Sequence, residues 1–509
     1  MSLFSVFFLI FIIITMALYF IVPRKKQWLI LLIASYVFYY LEDGLSGFVF
    51  IIITTVTSYL AGILMERDKK GFRKVIMLSC ILLNFGILAI LKYGGFVFDN
   101  VISVFHVLGI DAVPGKPLFI LPLGISFYTF QTMGYVIDVY RDAEKAENNL
   151  LKFALFTSYF PQIIQGPIGR HEDLAPQLEE VHRWDSIRFR EGVLRIFWGF
   201  FKKIILAERA GVIVNEIYSN FEGEGYKGFI ILIAGLLYGI QVYADFSGGM
   251  DIVFGVSDIF GIKLTENFRQ PYFAKSVSEF WQRWHITLGA WMKNYVFYPI
   301  CLSEGAAKLQ RKARAKFGVY YGRVIIPTLA SFFTFILVGI WHGADWKYVA
   351  YGIYMAIFVS SDTFCEKLYG DLRERFRINK ESLSWKAFQI LRTTFIILIG
   401  RLISRGNNVY DAFAMIKAMF SSFNLWVFSN DSLLSLGLDE KDMDVMLLAI
   451  VILFMVDYIN EKGTRIRTVI AKKALPFRWA VYYLAIAGIL IFGVYGAEYN
   501  ASSFIYQNF

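Results

Sequence analysis

An all-α, polytopic membrane protein is what this sequence predicts, and three observations predict it. Hydrophobic residues make up 57% of the 509-residue chain and charged residues only 18%, against about 25% charged in a soluble globular domain. That leaves too little polar surface to coat a water-soluble fold. A mean hydropathy of +0.52 excludes a disordered chain. The apolar residues also gather in runs of roughly 17–25, the length a helix needs to cross a ~30 Å hydrocarbon core.

The opening run, Leu3 to Val22, has that length and ends at Pro23, followed by Arg24, Lys25 and Lys26. A cleaved signal peptide carries its basic residues first and a small-residue site last. Here the order is reversed, so the run reads as a retained helix that starts outside. Further crossings are expected at 28–41, 46–65, 75–92, 118–140, 191–207, 228–244, 325–341, 347–364, 387–404, 445–460 and 479–497. The stretches 150–168, 246–262, 279–300 and 408–428 are apolar but interrupted, and read as re-entrant or interfacial. About eleven or twelve true spans are expected. No internal repeat or low-complexity linker divides the chain, so 1–509 reads as one membrane domain.

The net charge is +10. The basic residues cluster in short loops between apolar runs, which points to anionic lipid and topology signals rather than to nucleic acid. The clusters are Arg24–Lys26; Arg67, Lys69, Lys70, Arg73 and Lys74; Lys308 to Arg323; and Lys462 to Arg478. The positive-inside rule puts all four in the cytoplasm. Both termini then fall outside, including the tail 498–509. The chain reads as a multi-pass membrane protein. The three cysteines, Cys80, Cys301 and Cys365, form no CxxC pair, and no metal site is signalled.

Two of the five histidines are placed unusually. His342 closes the apolar run Ile325 to Trp341, about 25 Å from its start at 1.5 Å per residue. An ionisable group at such depth is a functional candidate; the alternative is a helix-end histidine capping carbonyls. His285 follows Glu279-Phe-Trp-Gln-Arg-Trp. Helical spacing puts Trp281, Trp284, His285, Leu288, Met292 and Tyr295 on one stripe, which is either an aromatic belt at the headgroups or a histidine lining a cavity. The GxSxG elbow, the GxxxxGK[ST] loop and HExxH are missing from the sequence, and neither His285 nor His342 is followed by an aspartate five residues on.

Several segments, taken in order, resemble the membrane-bound O-acyltransferase family (MBOAT), and within it the bacterial branch of alginate O-acetylation and teichoic-acid D-alanylation. They are Leu121-Pro-Leu-Gly-Ile-Ser-Phe-Tyr-Thr-Phe-Gln131, Asp138-Val-Tyr-Arg141, Phe160-Pro-Gln-Ile-Ile-Gln-Gly-Pro-Ile168 and Asp245-Phe-Ser-Gly-Gly-Met-Asp251. Asn267-Phe-Arg-Gln-Pro-Tyr272, Glu279-Phe-Trp-Gln-Arg-Trp-His285 and Gly339-Ile-Trp-His-Gly-Ala344 complete the set. One stretch departs: Tyr298-Pro-Ile-Cys-Leu-Ser-Glu-Gly305 stands where the alginate branch often carries a Gly-Gly-Asn-Arg-like sequence.

The resemblance implies a ring of helices around a central tunnel, where donor and acceptor meet from opposite faces. It puts the family's membrane histidine on His342 and its second signature histidine on His285. Acyl transfer from a thioester to a hydroxyl needs a base and donors for the developing oxyanion. His342 is expected as general base, with a covalent acyl-histidine as the alternative. His285 is expected to orient substrate or assist proton movement. Trp281, Trp341 and Asn294 are expected as tunnel wall or polar contacts. Asp345 either orients an imidazole or caps a helix turn. The ending Ser503-Phe-Ile-Tyr-Gln-Asn-Phe509 resembles that of the small accessory peptide of the D-alanyltransferase, so Tyr506 is a candidate acyl carrier; the alternative is an aromatic tail anchor.

The implied activity is O-acetyl transfer from cytoplasmic acetyl-CoA to an extracellular or cell-wall polysaccharide, through an extracytoplasmic SGNH-type acyltransferase. No metal is expected. The enzymatic alternative is D-alanyl transfer to teichoic acid from a carrier-protein thioester. A membrane transporter without acyl chemistry is the alternative of another class.

Overall fold

A computed structural model describes residues 5–68, 70–110 and 121–495. Among them the regular elements are helices, and the one β-type feature is an isolated antiparallel bridge between Phe268 and Trp284. The described chain groups into two compact units. The first takes residues up to Phe200 together with 249–265; the second takes 201–248 and 266–495.

The first unit holds α1 (Val6–Ile21), α2 (Gln27–Arg67), α3 (Arg73–Val107), α4 (Ile125–Tyr140), α5 (Leu150–Ser158), α6 (Phe160–Gln165), α7 (His171–Glu179) and α8 (Ser186–Phe200). Its centre is α2, against which α4 and α5 pack. The spans expected at 28–41 and 46–65 are the two halves of α2, which bends at Gly44. The 150–168 stretch is interrupted as expected: it breaks at Tyr159, between α5 and α6. Two of the motif segments meet here. Gln131 donates to the Phe156 carbonyl (2.6 Å), and the Gln162 amide donates to Gln131 Oε1 (2.6 Å). Buried amides need such partners, because an unmet one costs about 1–3 kcal/mol.

The second unit begins with a π-helical turn, Phe201–Ala207, that continues into α9 (Glu208–Ser219). After α10 (Phe221–Glu224) comes α11 (Phe229–Phe260), whose residues from Gly249 onward group with the first unit. The sequence suggested a crossing at 228–244 and a separate interrupted stretch at 246–262. Instead α11 runs unbroken through both. The polar residues that suggested an interruption are satisfied from the side. Lys203 Nζ lies 2.6 Å from Asp245 and 2.7 Å from Glu208, and Lys202 Nζ donates to Ser247 Oγ (2.8 Å).

The 279–300 stretch is broken as expected, into α12 (Val277–Arg283), α13 (Ile286–Met292), a π-helical turn Lys293–Phe297 and α14 (Tyr298–Leu302). Then follow α15 (Glu304–His342), α16 (Trp346–Phe364), α17 (Glu366–Arg375), α18 (Leu383–Arg405), α19 (Val409–Met419), α20 (Glu440–Glu461), α21 (Ile466–Ala471) and α22 (Leu475–Phe492). The basic stretch 305–323, read from sequence as a loop, is mostly the first part of α15. Gly318, at φ 88°, bends that part away from the apolar part ending at His342. A left-handed φ costs L-residues about 1–2 kcal/mol and glycine almost nothing. Six helices of the described residues are long and apolar enough to cross a membrane: the ones containing 24–67, 73–107, 229–260, 304–342, 383–405 and 475–492. Others among the expected crossings fall on shorter helices such as α1 and α4, each of 16 residues.

Candidate active site

The site is built within the second unit, and its backbone comes first. Residues 267–269 run antiparallel to 283–286. Arg269 N–H donates to the Arg283 carbonyl (2.9 Å), and Ile286 N–H donates to the Asn267 carbonyl (3.0 Å). The sequence reading had a continuous helical stripe from Trp281 to Tyr295. The structure corrects this: α12 ends at Arg283, Trp284 is extended, and His285 adopts φ 50°, ψ 51°. A non-glycine residue in the left-handed region is uncommon. It persists where its surroundings over-determine it, which is frequent at functional sites. Here the two ladder bonds hold the chain on either side of His285.

The ladder register also sets the first partner of His285. Asn267 is fully buried, and its Nδ2 lies 3.3 Å from His285 Nδ1. Its Oδ1 accepts from the Thr287 N–H (2.9 Å) and from the Thr287 hydroxyl (3.0 Å). The rest of the His285 environment is aromatic: Phe246 packs edge-on at 5.0 Å and Trp341 at 5.7 Å between ring centroids. Burial among these groups pushes the His285 imidazole down to about 3, because a charge would lose its hydration there. His285 is therefore neutral at physiological pH.

His342 is the last residue of α15 and is buried. Trp341 touches both histidines, lying 5.1 Å from the His342 ring and 5.7 Å from that of His285. Tyr351 of α16 closes the other side of His342 at 5.7 Å. α15 and α16 pack closely against one another, and their glycines explain why. A Cβ on Gly339 would fall 2.5 Å from Gly352 Cα and 2.6 Å from the Tyr348 carbonyl, so only glycine permits this approach.

The structure thus brings His285, Trp341 and His342 into one chain of rings. Trp281 stands on α12 and packs against Phe335 of α15 (5.3 Å). Asn294 is half-buried on the Lys293–Phe297 turn. Asp345 takes the capping alternative: it is the N-cap of α16, accepting from the Lys347 N–H (2.9 Å). Tyr506 lies outside the described residues. No cluster of three His, Cys, Asp or Glu side chains able to hold a metal is present among the described residues.

Sequence reasoning missed four neighbours. Asn267 was quoted within its motif but given no role. Phe246, between Asp245 and Ser247, reaches His285 because both flanking side chains are held by lysines. Tyr351 offered no signal beyond an apolar run. Arg401 did offer one: it is a cation inside the apolar run 387–404, and such residues are functional candidates by default. It is buried, with its guanidinium 4.4 Å from the centre of the Trp284 ring, a cation–π contact worth up to ~2 kcal/mol when desolvated.

Comparison with known proteins identifies the family. The family model of MBOAT, the membrane-bound O-acyltransferase family, matches residues 140–320. The chain is 32% identical over 435 residues to the probable alginate O-acetylase AlgI of Pseudomonas syringae pv. tomato, covering 84% of this chain and 76% of the relative. It is 26% identical over 424 residues to the peptidoglycan O-acetyltransferase of Helicobacter pylori, covering 77% and 73%. It is 29% identical over 253 residues to the teichoic acid D-alanyltransferase of Bacillus subtilis, covering 48% and 60%. A match running through most of the chain settles its descent: this multi-pass membrane protein belongs to the membrane-bound O-acyltransferase family and is an O-acyltransferase.

Proposed function

We propose that this O-acyltransferase takes acetyl groups from cytoplasmic acetyl-CoA and moves them across the membrane for O-acetylation of an extracellular or cell-wall polysaccharide. A partner acyltransferase of the SGNH type, outside the membrane, completes the transfer. The observation that carries the reading is the buried chain of rings His285–Trp341–His342 at the end of a helix whose other end is strongly basic. The basic end faces the cytoplasm by the positive-inside rule and attracts the phosphates of the donor. The same rule puts both termini outside.

His342 acts as the base. It takes the proton of the attacking hydroxyl as that oxygen bonds the thioester carbon, and returns it to the departing thiolate. His285 serves from the other side of Trp341, with Trp281, Trp341 and Asn294 as wall and polar contacts. Tyr506 carries the acyl group on its phenolic oxygen to the partner. Two features favour acetyl over D-alanyl transfer. The resemblance to the alginate O-acetylase runs through 84% of the chain and that to the D-alanyltransferase through 48%. The tail motif is also part of the chain itself.

The test uses membrane vesicles and acetyl-CoA labelled in the acetyl group. Label should reach protein or glycan with the native chain and fail to do so with His342→Ala at equal folded amounts. Equal labelling in both sinks the catalytic role. Tyr506→Phe keeps the ring and loses the hydroxyl; full polysaccharide acetylation in that variant removes Tyr506 from the route. Labelling by a D-alanyl carrier thioester in place of acetyl-CoA would select the other donor.

A further inference from the structure

We propose that Asn267 is a positioning residue that locks His285 as its Nε2–H tautomer, so that His285 donates a hydrogen bond during acyl transfer and is not the base. The proposal rests on the assignment of His342 as base, and it deepens the reading of the same site.

The argument starts from the amide. Asn267 Oδ1 accepts from the Thr287 backbone N–H (2.9 Å) and from its hydroxyl (3.0 Å). A backbone N–H can only donate, so the oxygen must face Thr287 and the NH₂ group must be the end lying 3.3 Å from His285 Nδ1. An amide nitrogen donates and does not accept. Nδ1 is therefore the acceptor of this bond and carries no hydrogen. A neutral imidazole has one N–H, which is then on Nε2.

The backbone makes this arrangement stiff. Asn267 and His285 face one another because the Asn267 carbonyl and the Ile286 N–H close the ladder beside them. Thr287, two residues past His285, holds the far end of the same amide. One turn of chain thus supplies both the ring and the clamp on its partner. Glutamine or aspartate at 267 would not reproduce this: the first is a carbon longer, and the second has no N–H to give.

The chemistry follows. As the hydroxyl oxygen bonds the thioester carbon, His342 takes the hydroxyl proton and the carbonyl π electrons move onto oxygen. The Nε2–H of His285 hydrogen-bonds that oxyanion. When the carbonyl re-forms, the carbon–sulfur bond breaks and the thiolate takes the proton from His342. One proton and one acyl group have moved, and both histidines end as they began. A single oxyanion donor is worth roughly 10²–10³ in rate.

Two measurements test the proposal. The first reads the tautomer and is independent of the donor. The full chain is labelled with ¹⁵N-histidine in vesicles, where five histidines keep the spectrum simple, and His285 is assigned by its loss in His285→Gln. Native His285 should show a protonated Nε2 and a bare Nδ1, and Asn267→Asp should reverse them. A protonated Nδ1 in the native chain overturns the lock. The second reads thiol release from acetyl-CoA. His285→Gln, whose amide can still donate, should keep far more activity than His285→Ala, which should lose about 10²–10³-fold. Asn267→Asp should lower kcat with KM unchanged. Equal loss in His285→Gln and His285→Ala overturns the donor role. Indifference to His342→Ala would instead strike the assignment of the base and leave the tautomer result standing.

Discussion

Each unit buries a histidine among aromatic rings, and the two have different partners. In the first unit, His171 packs against Tyr135 (4.9 Å) and Phe156 (4.7 Å) and pairs through Nδ1 with the Glu144 carboxylate. In the second, His285 packs against Phe246 and Trp341 and meets an amide, Asn267, through the same nitrogen. Ring contacts and burial are nearly alike, but the partner differs in charge. The carboxylate of Glu144 ties the His171 ring in place as structure. The amide of Asn267 brings no charge to the ring of His285. Burial alone therefore does not tell the two histidines apart; the nature of the partner does.

The comparison breaks most visibly at His342. His342→Gln keeps side-chain polarity and removes the base, so acyl transfer should fall about 10²–10⁴-fold with little change in thermal stability. Loss of fold with loss of activity would move His342 into the structural class of His171. Next in size is the ion cluster behind Phe246. Asp245→Asn takes one of two carboxylates from the buried Lys203, which should cost about 3–5 kcal/mol in stability and loosen the Phe246 contact on His285. A melting curve in detergent checks it, and an unchanged midpoint would contradict it. Smaller again is His171→Ala. It should cost about 1–3 kcal/mol by leaving Glu144 without this partner, while specific activity per folded molecule stays near the native value. A large fall in specific activity would erase the distinction between the two units.

Much of this was legible in the sequence because it depends on composition and local pattern. Apolar run length predicted α2, α3, α11, α15, α18 and α22, each among the helices able to cross a membrane. The place of His342 at the end of a long apolar helix followed from the length of one run. What failed was whatever depends on partners distant in the chain. Nothing local says that α12 stops at Arg283: the stop is imposed by residues 267–269, which pair with the chain there. The same pairing hid Asn267, whose role exists only once its carbonyl meets Ile286. The 246–262 stretch read as interrupted because the lysines that meet the polar side chains at its start come from residues 202 and 203. Asp345 sat at the opposite extreme. Its capping role is a two-residue contact, and it was available from sequence as one of two readings.

The finest prediction concerns protons. Burial takes the imidazole of His285, in the non-spanning stretch between α12 and α13, from its ordinary 6.5 down to about 3. Above about pH 3 the folded chain carries this ring neutral, so His285 contributes no acid limb to the pH–activity profile near neutrality. His285→Gln should lower the height of the profile and leave the position of its acid limb unchanged. Stability behaves differently. Between pH 6.5 and about 3 the unfolded chain binds a proton at this residue that the folded chain does not, so stability falls as pH falls across that window. His285→Gln removes that contribution, and its melting temperature should drop less than the native one between pH 7 and pH 5. The expected difference is a few degrees. An acid limb that moves with the substitution would mean that His285 titrates during turnover, which would return it to the role of base.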